Sequence, residues 1–313
     1  MTRTAAFNRR TFLRNTSCLS ASLALSPTLR LAAQQLATLN VASAGSIRAM
    51  LEGPLKLAAA HTLSLDLHTH AQGADTVAAS LIDGTLTADL FIPITAHPML
   101  TVLNAGKATT AQPIARTELV LLYSPKSRFL PQFEQAAAGT TPWYEVLQQP
   151  GLRIARSNPA ADPGGRAILF LMLLAAKKYN QPDLVAKVLG TPLNPDQVLT
   201  GGNIQAKLQA GEIDVMAVYK IGPAATNQPF LTLPADINLS SSTLRHDHPD
   251  ISLAIGPDVF YPEPLIFYAA QLNAAANPSG AAAFLIWLQS PEAQSLFQHS
   301  HFAPIGDATP IHL

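Results

Sequence analysis

Four short stretches place small or polar residues directly before apolar runs, where the first turn of a helix is predicted. They are Gly45-Ser46, Gly73-Ala74-Asp75, Asp162-Pro163-Gly164 and Asn203-Ile204. The first backbone N–H groups of a helix have no partner within the helix, and the helix dipole is positive at that end. Several such ends meeting in one cleft would therefore bind a small oxyanion.

The loop from Arg156 to Arg166 contains the most specific of these helix starts. Asp162 is a preferred N-cap residue, and Pro163 suits the first helical position. Gly164 is expected to leave its backbone N–H open to a ligand. Arg166 is expected in an ion pair, at the surface or between two lobes, rather than in contact with a ligand.

The elements that must position these stretches alternate between strands and helices. Short apolar strands are predicted in two blocks, at 39–43, 63–68 and 88–94 in the first and at 118–123, 152–155 and 212–219 in the second. Ser46 and Asp75 lie where the N-caps of the first two helices belong. The alternation predicts mostly parallel sheets flanked by helices. Residues 105–116 read as a linker, and residues 240–258 as a polar segment with little core.

Charge and composition are those of an ordinary globular protein that is long enough for two lobes. The 313 residues include 20 basic and 20 acidic ones, but five arginines and no acidic residue fall within residues 1–33. The remaining chain has 15 basic against 20 acidic residues, a net charge of −5. This balance argues against a nucleic-acid partner, and it requires that an anion be held by local dipoles. No cofactor is expected, and a monomer is expected.

Residues 1–33 have the features of an export signal. Arg9-Arg10 within Asn8–Arg14 resembles the twin-arginine motif, and a weakly apolar run follows. The single cysteine, Cys18, lies in this segment, so the mature chain is expected to have no disulfide and no thiolate metal site. We therefore expect a periplasmic or otherwise exported protein.

An ordered set of motifs along the chain resembles the molybdate/tungstate-binding proteins of ABC importers. The set consists of 41–47 with 88–92, 143–145 with 157–166, 211–214 with 219–220, 233–234 with 237–240, and 290–294 with 304–305. The resemblance implies a two-lobed periplasmic-binding-protein fold of type II that closes on its ligand. Lobe 1 would comprise residues 38–115 and 263–313, and lobe 2 residues 116–262. The implied partners are the oxyanion and a permease in the inner membrane.

The same resemblance assigns site residues by position. Ser46, with Gly45, would donate its hydroxyl and amide to the oxyanion, Gly164 and Ile204 a backbone N–H each, and Tyr219 its phenolic O–H. Asp162 matches a carboxylate that in the archaeal-type branch bonds the metal centre directly. Three positions depart from the usual pattern of the family or its archaeal-type branch, namely Ala74, Asp75 and Asn203.

Electrostatics limits what an aspartate can do at such a site. A carboxylate about 4 Å from a dianion costs about 8 kcal/mol at an effective dielectric constant near 20. Asp75 or Asp162 in direct contact must therefore bond the metal, be protonated or turn away. Bonding is open to molybdate and tungstate, whereas for sulfate or phosphate it is not. As simpler alternatives, Asp75, Asp162 and Ser46 serve as caps only, and Tyr219 as a core residue.

The residues allow comparison with three alternative functions. His68-Thr69-His70, His246-Asp247-His248 and His299-Ser300-His301 could belong to a metal-dependent hydrolase, although a third ligand and a base are not evident near any pair. A serine hydrolase lacks its Gly-x-Ser-x-Gly signature. The same fold could also bind sulfate, phosphate or a small carboxylate. A carboxylate would favour an arginine fork, and no arginine falls at the four junctions.

Overall fold

The structure is a computed structural model that describes residues 36–199 and 204–313. The predicted export signal and Asn203 therefore lie outside the described residues. The strands are β1 (Ala37–Ala44), β2 (Leu65–Gln72), β3 (Leu90–Ile92), β4 (Thr110–Arg116), β5 (Leu119–Tyr123), β6 (Ile154–Ala155), β7 (Val215–Tyr219), β8 (Phe230–Leu231), β9 (Leu253–Ile255), β10 (Asp258–Phe260), β11 (Ile266–Gln271) and β12 (Ile311–His312).

The helices vary widely in length. They are α1 (Arg48–Glu52), α2 (Pro54–Leu63), α3 (Ala74–Asp83), α4 (Ala96–Asn104), α5 (Leu130–Ala137), α6 (Trp143–Val146), α7 (Pro163–Lys178), α8 (Leu184–Val188), α9 (Ile204–Ala210), α10 (Ile221–Ala225), α11 (Leu244–Asp247), α12 (Pro278–Leu288) and α13 (Pro291–His299), with a 3₁₀ turn at Gly45–Ile47.

The described strands form two main sheets and a hairpin. The first sheet has the order β12-β4-β11-β3-β1-β2, the second has the order β6-β7-β5-β8, and β9 pairs with β10. The strands of the first sheet come from both ends of the described chain, and those of the second come from the middle. The division into two lobes and its boundaries stay a prediction.

The predicted α/β class is confirmed, but each sheet also contains antiparallel strands. In the first sheet β1 pairs in parallel with β2 and β3, while β11 runs antiparallel to both β3 and β4. In the second sheet β6 and β7 are parallel, and β5 runs antiparallel to β7. The reversed strands β5 and β11 each begin just after the chain has passed from one sheet to the other. The local alternation of strands and helices in the sequence does not indicate that these two strands are antiparallel.

Two segments differ from the sequence prediction. Residues 105–116, expected as a linker, contain β4, which pairs with β11 far along the chain. Residues 240–258, expected to contribute little core, bury Leu244, Ile251, Leu253 and Ile255. Both errors have the same cause, because the partners that bury these residues are distant in sequence.

Residues Leu36–Leu313 form one compact unit. One apolar cluster includes Leu39 and Leu67 of the first sheet and Leu121 and Val215 of the second. Because the two sheets share this cluster, side chains from both can meet at one site.

Candidate functional site

Strand ends from both sheets surround one cavity of about 310 Å³, here called the central cavity. From the first sheet, β1 leads into the 3₁₀ turn and β2 into α3. From the second, β6 leads into the loop before α7, and β7 ends at Tyr219. The lining residues are Ala44, Gly45, Ser46, Gln72, Gly73, Ile94, Leu119, Arg156, Ser157, Asp162, Gly164, Ile204, Met216, Ala217, Val218 and Tyr219. The carboxyl ends of parallel strands are where open α/β sheets bind ligands.

Ser46 supplies a hydroxyl group without a protein partner. It lies inside the 3₁₀ turn, where Ala44 occupies the preceding cap position and no side chain forms a capping hydrogen bond. The prediction that Ser46 is an N-cap is therefore wrong, because the chain leaves β1 through a tighter turn than an α-helix. Its Oγ is buried and has no hydrogen-bond partner in the described part of the chain. A hydroxyl in this position can donate a hydrogen bond to a ligand in the cavity.

Tyr219 supplies a second such hydroxyl from the opposite sheet. Its Oη is buried and lacks a partner among the described residues. Burial raises the pKa of the phenol well above its usual value of 10, and the nearby Asp162 charge adds to the effect. The phenol therefore stays protonated at neutral pH and can act as a hydrogen-bond donor to an anion.

Asp162 begins α7 as predicted. Its backbone is extended, and its Oδ1 accepts a hydrogen bond of 3.1 Å from the N–H of Gly164. The N-cap prediction is thus confirmed, whereas the expectation that Gly164 offers an open amide is wrong. The cap oxygen takes the N–H that a ligand would need. The N–H groups of Gly165 and Arg166 are directed to the carbonyl oxygen of Asp162.

The loop before α7 packs tightly on the first turn of the helix. A Cβ atom on Gly165 would lie 2.4 Å from the carbonyl oxygen of Ser157 and 2.7 Å from the nitrogen of Pro159. A side chain at this position would push the loop away, so the glycine fixes how Ser157 and Asp162 are presented to the cavity.

Arg156 places a buried positive charge in the cavity wall, a feature that the sequence reading missed. Its side chain donates to the carbonyl oxygens of Leu189, Thr191 and Pro192, and its Nε–H has no hydrogen-bond partner where the structure describes the chain. No carboxylate among the described residues pairs with it. Burial lowers its pKa, yet a guanidinium group keeps its charge at neutral pH. A local signal existed, because Arg156 ends an apolar strand at the edge where the ligand was expected.

The remaining predicted residues divide into two groups. Gly45 lines the central cavity, and so does Ile204 at the start of α9. Ala74 is buried, and neither Ala74 nor Asp75 is among the lining residues. Gly73, directly before them, does line it.

Asp75 is not the N-cap of α3. Gly73 holds that position, and no side chain forms a capping bond there. The Asp75 carboxylate instead forms an ion pair of 2.6 Å with Arg166 on α7. The N-cap prediction for Asp75 is wrong because a partner 91 positions away outcompetes the local amides. The prediction that Arg166 belongs to an ion pair is confirmed.

A second, smaller cavity of about 80 Å³ also borders the start of α7 and is here called the side cavity. Its walls include Thr95, His97, Arg166, Phe260 and Glu263. The backbone N–H of His97 donates to Glu263 at 3.4 Å, and the Arg166 guanidinium lies 4.1 Å from the centre of the Phe260 ring. Burial raises the pKa of Glu263 to about 7 and lowers that of His97.

The His-x-His pairs lie away from both cavities. His68 contacts Asp66 at 2.9 Å, His246 contacts Asp247 at 3.1 Å, and His299 contacts the backbone of Ser295. Across residues 36–199 and 204–313, no group of three or more His, Cys, Asp or Glu side chains is placed to hold a metal ion. The described helices also include none that is both long and apolar enough to cross a membrane.

The two β-sheets are flanked by helices and share a cavity at their strand ends, and each sheet leads to one buried hydroxyl group that can donate a hydrogen bond. This is the arrangement of a solute-binding protein of the periplasmic type. The chain belongs to the bacterial extracellular solute-binding protein family, whose model matches residues 39–303. The family binds solutes and is not a family of enzymes, in agreement with the prediction that there is no catalytic centre. The predicted export is supported at the level of the family, which is extracellular.

Individual curated relatives share low sequence identity with this chain. The molybdate/tungstate-binding protein WtpA of Pyrococcus abyssi is 24% identical over 60% of this chain and 60% of its own length. A putative ABC transporter molybdenum-binding protein of Haloferax volcanii is 30% identical over 50% of this chain and 48% of its own. The chain thus spans less than two thirds of these curated relatives.

Solved structures support the fold. The periplasmic molybdate-binding protein of Azotobacter vinelandii superposes with a TM-score of 0.60 at 17% identity, covering 85% of this chain and 99% of that one. At this identity the likeness concerns the fold alone. The type II periplasmic-binding fold expected from the sequence is confirmed.

Proposed function

We propose that the chain captures a tetrahedral oxyanion, molybdate or tungstate, in the central cavity and passes it to the permease of an ABC importer. The observation that carries this proposal is the pair of buried hydroxyl groups, Ser46 Oγ and Tyr219 Oη, which come from different sheets and have no hydrogen-bond partner among the described residues. Both can donate to an anion. The printed names of the Pyrococcus and Haloferax relatives support the choice of ligand.

The charges around the cavity support an anion. Arg156 is a buried cation without a carboxylate partner among the described residues, and an anion in the cavity would provide the missing counter-charge. The neutral phenol of Tyr219 adds a donor that does not lose its proton near neutral pH. Burial of the site strengthens each of these interactions because the local dielectric constant is low.

Asp162 is the residue that would distinguish between oxyanions. One of its carboxylate oxygens caps α7, and the carboxylate still lines the cavity. Next to sulfate it would be strongly repulsive, whereas a high-valent molybdenum or tungsten centre can accept a carboxylate oxygen as a hard ligand. We therefore assign selectivity to Asp162 and general anion binding to Ser46 and Tyr219.

A thermal-shift panel with molybdate, tungstate, sulfate, phosphate, zinc and a small carboxylate tests the function. A ligand present at 100 times its Kd should add about 2.7 kcal/mol to the free energy of unfolding. We expect this stabilisation from molybdate and tungstate. A shift with zinc or the carboxylate alone would contradict the proposal, and an equal shift with sulfate would remove the role of Asp162.

Export and assembly belong to the same proposal. We assign residues 1–33 to a twin-arginine export signal and expect that replacing Arg9 and Arg10 by lysine keeps the protein in the cytoplasm, as cell fractionation would measure. Export of that variant at the normal level would contradict the assignment. We also propose a monomer with a hinge between the two lobes, which light scattering after size exclusion can test.

A further inference from the structure

The ion pair between Asp75 and Arg166 joins the two halves of the molecule. Asp75 lies in the first turn of α3, which packs on β1 and β2 of the first sheet. Arg166 lies in the first turn of α7, which packs on β7 of the second sheet. The charged atoms are 2.6 Å apart, and the two side chains are only 19% and 5% exposed, respectively.

The Arg166 guanidinium is held from three directions. Its Nη1 donates to the carbonyl oxygen of Pro159 at 2.9 Å, its plane lies over the Phe260 ring, and Asp75 approaches from the other sheet. Pro159 belongs to the loop directly before α7, whereas the Phe260 ring also contacts the His97 ring on α4, with 5.1 Å between the ring centres. The contact with Pro159 restrains the guanidinium independently of Asp75 and so reduces the side-chain freedom that is lost when the ion pair forms.

The backbones of the two halves also touch beside this pair. A Cβ atom on Gly73 would lie 2.8 Å from the carbonyl oxygen of Ala161, and the Thr76 hydroxyl donates to the same oxygen at 3.4 Å. Gly73 and Asp162 both line the central cavity. The contact between α3 and the loop 157–162 therefore closes one edge of that cavity.

Opening the cleft would separate Asp75 from Arg166 and return both groups to water. The pair favours closure through an attraction that is weakly screened, because the two side chains are only 19% and 5% exposed, and through the existing restraint of Arg166 by Pro159. The pair therefore favours the arrangement in which α3 touches the loop, with or without a ligand.

We propose that Asp75 and Arg166 form a latch that keeps the cleft closed in the ligand-free protein and thereby raises the affinity of the central cavity. The effect on affinity depends on the proposed function, whereas the closure itself does not. A ligand that binds the closed form has an apparent Kd inversely proportional to the closed fraction. Loss of the latch should weaken binding about tenfold if it lowers the closed fraction tenfold. Asp75 and Arg166 act as positioning residues, since neither is assigned a contact with the ligand.

The distance between the halves in the ligand-free protein tests the latch directly. Spin labels are attached at Leu57→Cys on α2 and Leu193→Cys after α8, both exposed positions, in the full chain with Cys18→Ser. Double electron–electron resonance should give one short distance for this background protein. Asp75→Asn should shift most molecules to a longer distance. An unchanged distribution in Asp75→Asn would overturn the proposal.

Two further variants separate the latch from general destabilisation. Asp250→Asn removes one partner of the exposed Lys177–Asp250 pair, which also involves α7, and should leave the distance unchanged. The exchange Asp75→Arg with Arg166→Asp should recover part of the short distance if the charges themselves hold the cleft. Failure of this exchange to recover any short distance, while the melting temperature stays normal, would also contradict a latch made by charge pairing.

Calorimetric titration with molybdate then tests the effect on affinity. Asp75→Asn should bind molybdate about tenfold more weakly than the parent, and Asp250→Asn should bind it equally well. If molybdate does not bind the parent protein at all, the proposed function fails, but the ligand-free distances still decide whether the latch exists. Opening of the cleft without a loss of affinity would overturn the link between latch and binding.

Discussion

The central cavity and the side cavity share the first turn of α7, yet their arginines differ in charge pairing. In the central cavity no carboxylate among the described residues pairs with Arg156, and the buried hydroxyl groups of Ser46 and Tyr219 have no hydrogen-bond partner among those residues. In the side cavity Arg166 is bound by Asp75 and Phe260, and Glu263 accepts from the backbone of His97. The first arrangement leaves bonding capacity for a ligand, whereas the second uses its capacity to join the two sheets.

This contrast predicts different consequences of substitution. Removal of the Ser46 or Tyr219 hydroxyl in the central cavity should alter affinity with little loss of stability, because neither group has a hydrogen-bond partner in the described part of the chain. Changes in the side cavity should alter stability or closure first, and affinity only through them. The predictions below run from the largest expected effect to the smallest.

The largest effect is expected at Asp162. Asn can still cap a helix, so Asp162→Asn removes the carboxylate charge and keeps the hydrogen bond to Gly164. We expect tungstate to bind about 100-fold more weakly, which corresponds to about 2.7 kcal/mol, as measured by calorimetric titration. Equal or tighter tungstate binding would show that Asp162 is a cap only.

A matched control separates capping from ligand binding. Ser290 caps α13 by accepting from the N–H of Ala293, and it is not among the lining residues of either cavity. Ser290→Ala should cost about 1 kcal/mol of stability, as cap removal generally does, and should leave tungstate affinity unchanged. Asp162→Ala should combine this cost with the loss of affinity.

The next largest effect is expected on the pH dependence of stability, through Glu263 in the side cavity. Burial raises the pKa of Glu263 to about 7 from its ordinary value of 4.5, so the folded protein favours the protonated form. The contribution of this carboxyl group to the free energy of unfolding is fully present below pH 4.5 and is lost as the pH rises through 7. Between pH 5 and pH 8 the free energy of unfolding should fall by about 2 kcal/mol more in the wild type than in Glu263→Gln.

The comparison with Glu263→Gln is necessary because other charges face this carboxyl group. Asp75 raises and Arg166 lowers the pKa of Glu263. His97, whose pKa burial lowers, loses stabilisation as the pH falls and so opposes the trend. Denaturant titrations at several pH values measure the difference. If the free energy of unfolding changes equally with pH in the wild type and in Glu263→Gln, Glu263 does not cause the pH dependence.

The smallest of these effects is expected at Tyr219. Tyr219→Phe removes a buried hydroxyl that has no hydrogen-bond partner within residues 36–199 and 204–313, so the stability of the ligand-free protein should stay the same or rise by up to about 1 kcal/mol. Molybdate affinity should fall about tenfold, because a hydrogen bond to a charged group is lost. Tyr123→Phe, on β5 and outside the cavity wall, serves as the control and should not change affinity. A stability loss in Tyr219→Phe with unchanged affinity would reverse the assignment.

Local chemistry explains which parts of this site could be predicted. The Asp-Pro-Gly-Gly sequence predicts the start of α7 because capping depends on residues two or three positions apart. The same reasoning was wrong for Gly164. Its backbone N–H, expected to be open to a ligand, donates to the carboxylate of Asp162, the predicted cap. The reasoning was also wrong for Ser46 because a 3₁₀ turn, rather than a helix start, follows β1.

Long-range pairing explains what could not be predicted. The partner of Asp75 is Arg166, and the partner of β4 is β11, in both cases far along the chain. The periodicity of a segment shows whether it is a strand or a helix, but not which distant segment covers it. The α/β class could be predicted because the alternation of strands and helices is a local pattern. The antiparallel direction of β5 and β11 could not be predicted, because it depends on distant strands.

The location of the ligand is the central claim, and anomalous scattering from crystals grown with tungstate tests it most directly. We expect one tungsten peak in the central cavity, with its oxygens within hydrogen-bond distance of Ser46 Oγ and Tyr219 Oη and with Asp162 beside the metal. A peak elsewhere on the protein, or an empty central cavity at saturating tungstate, would contradict the account.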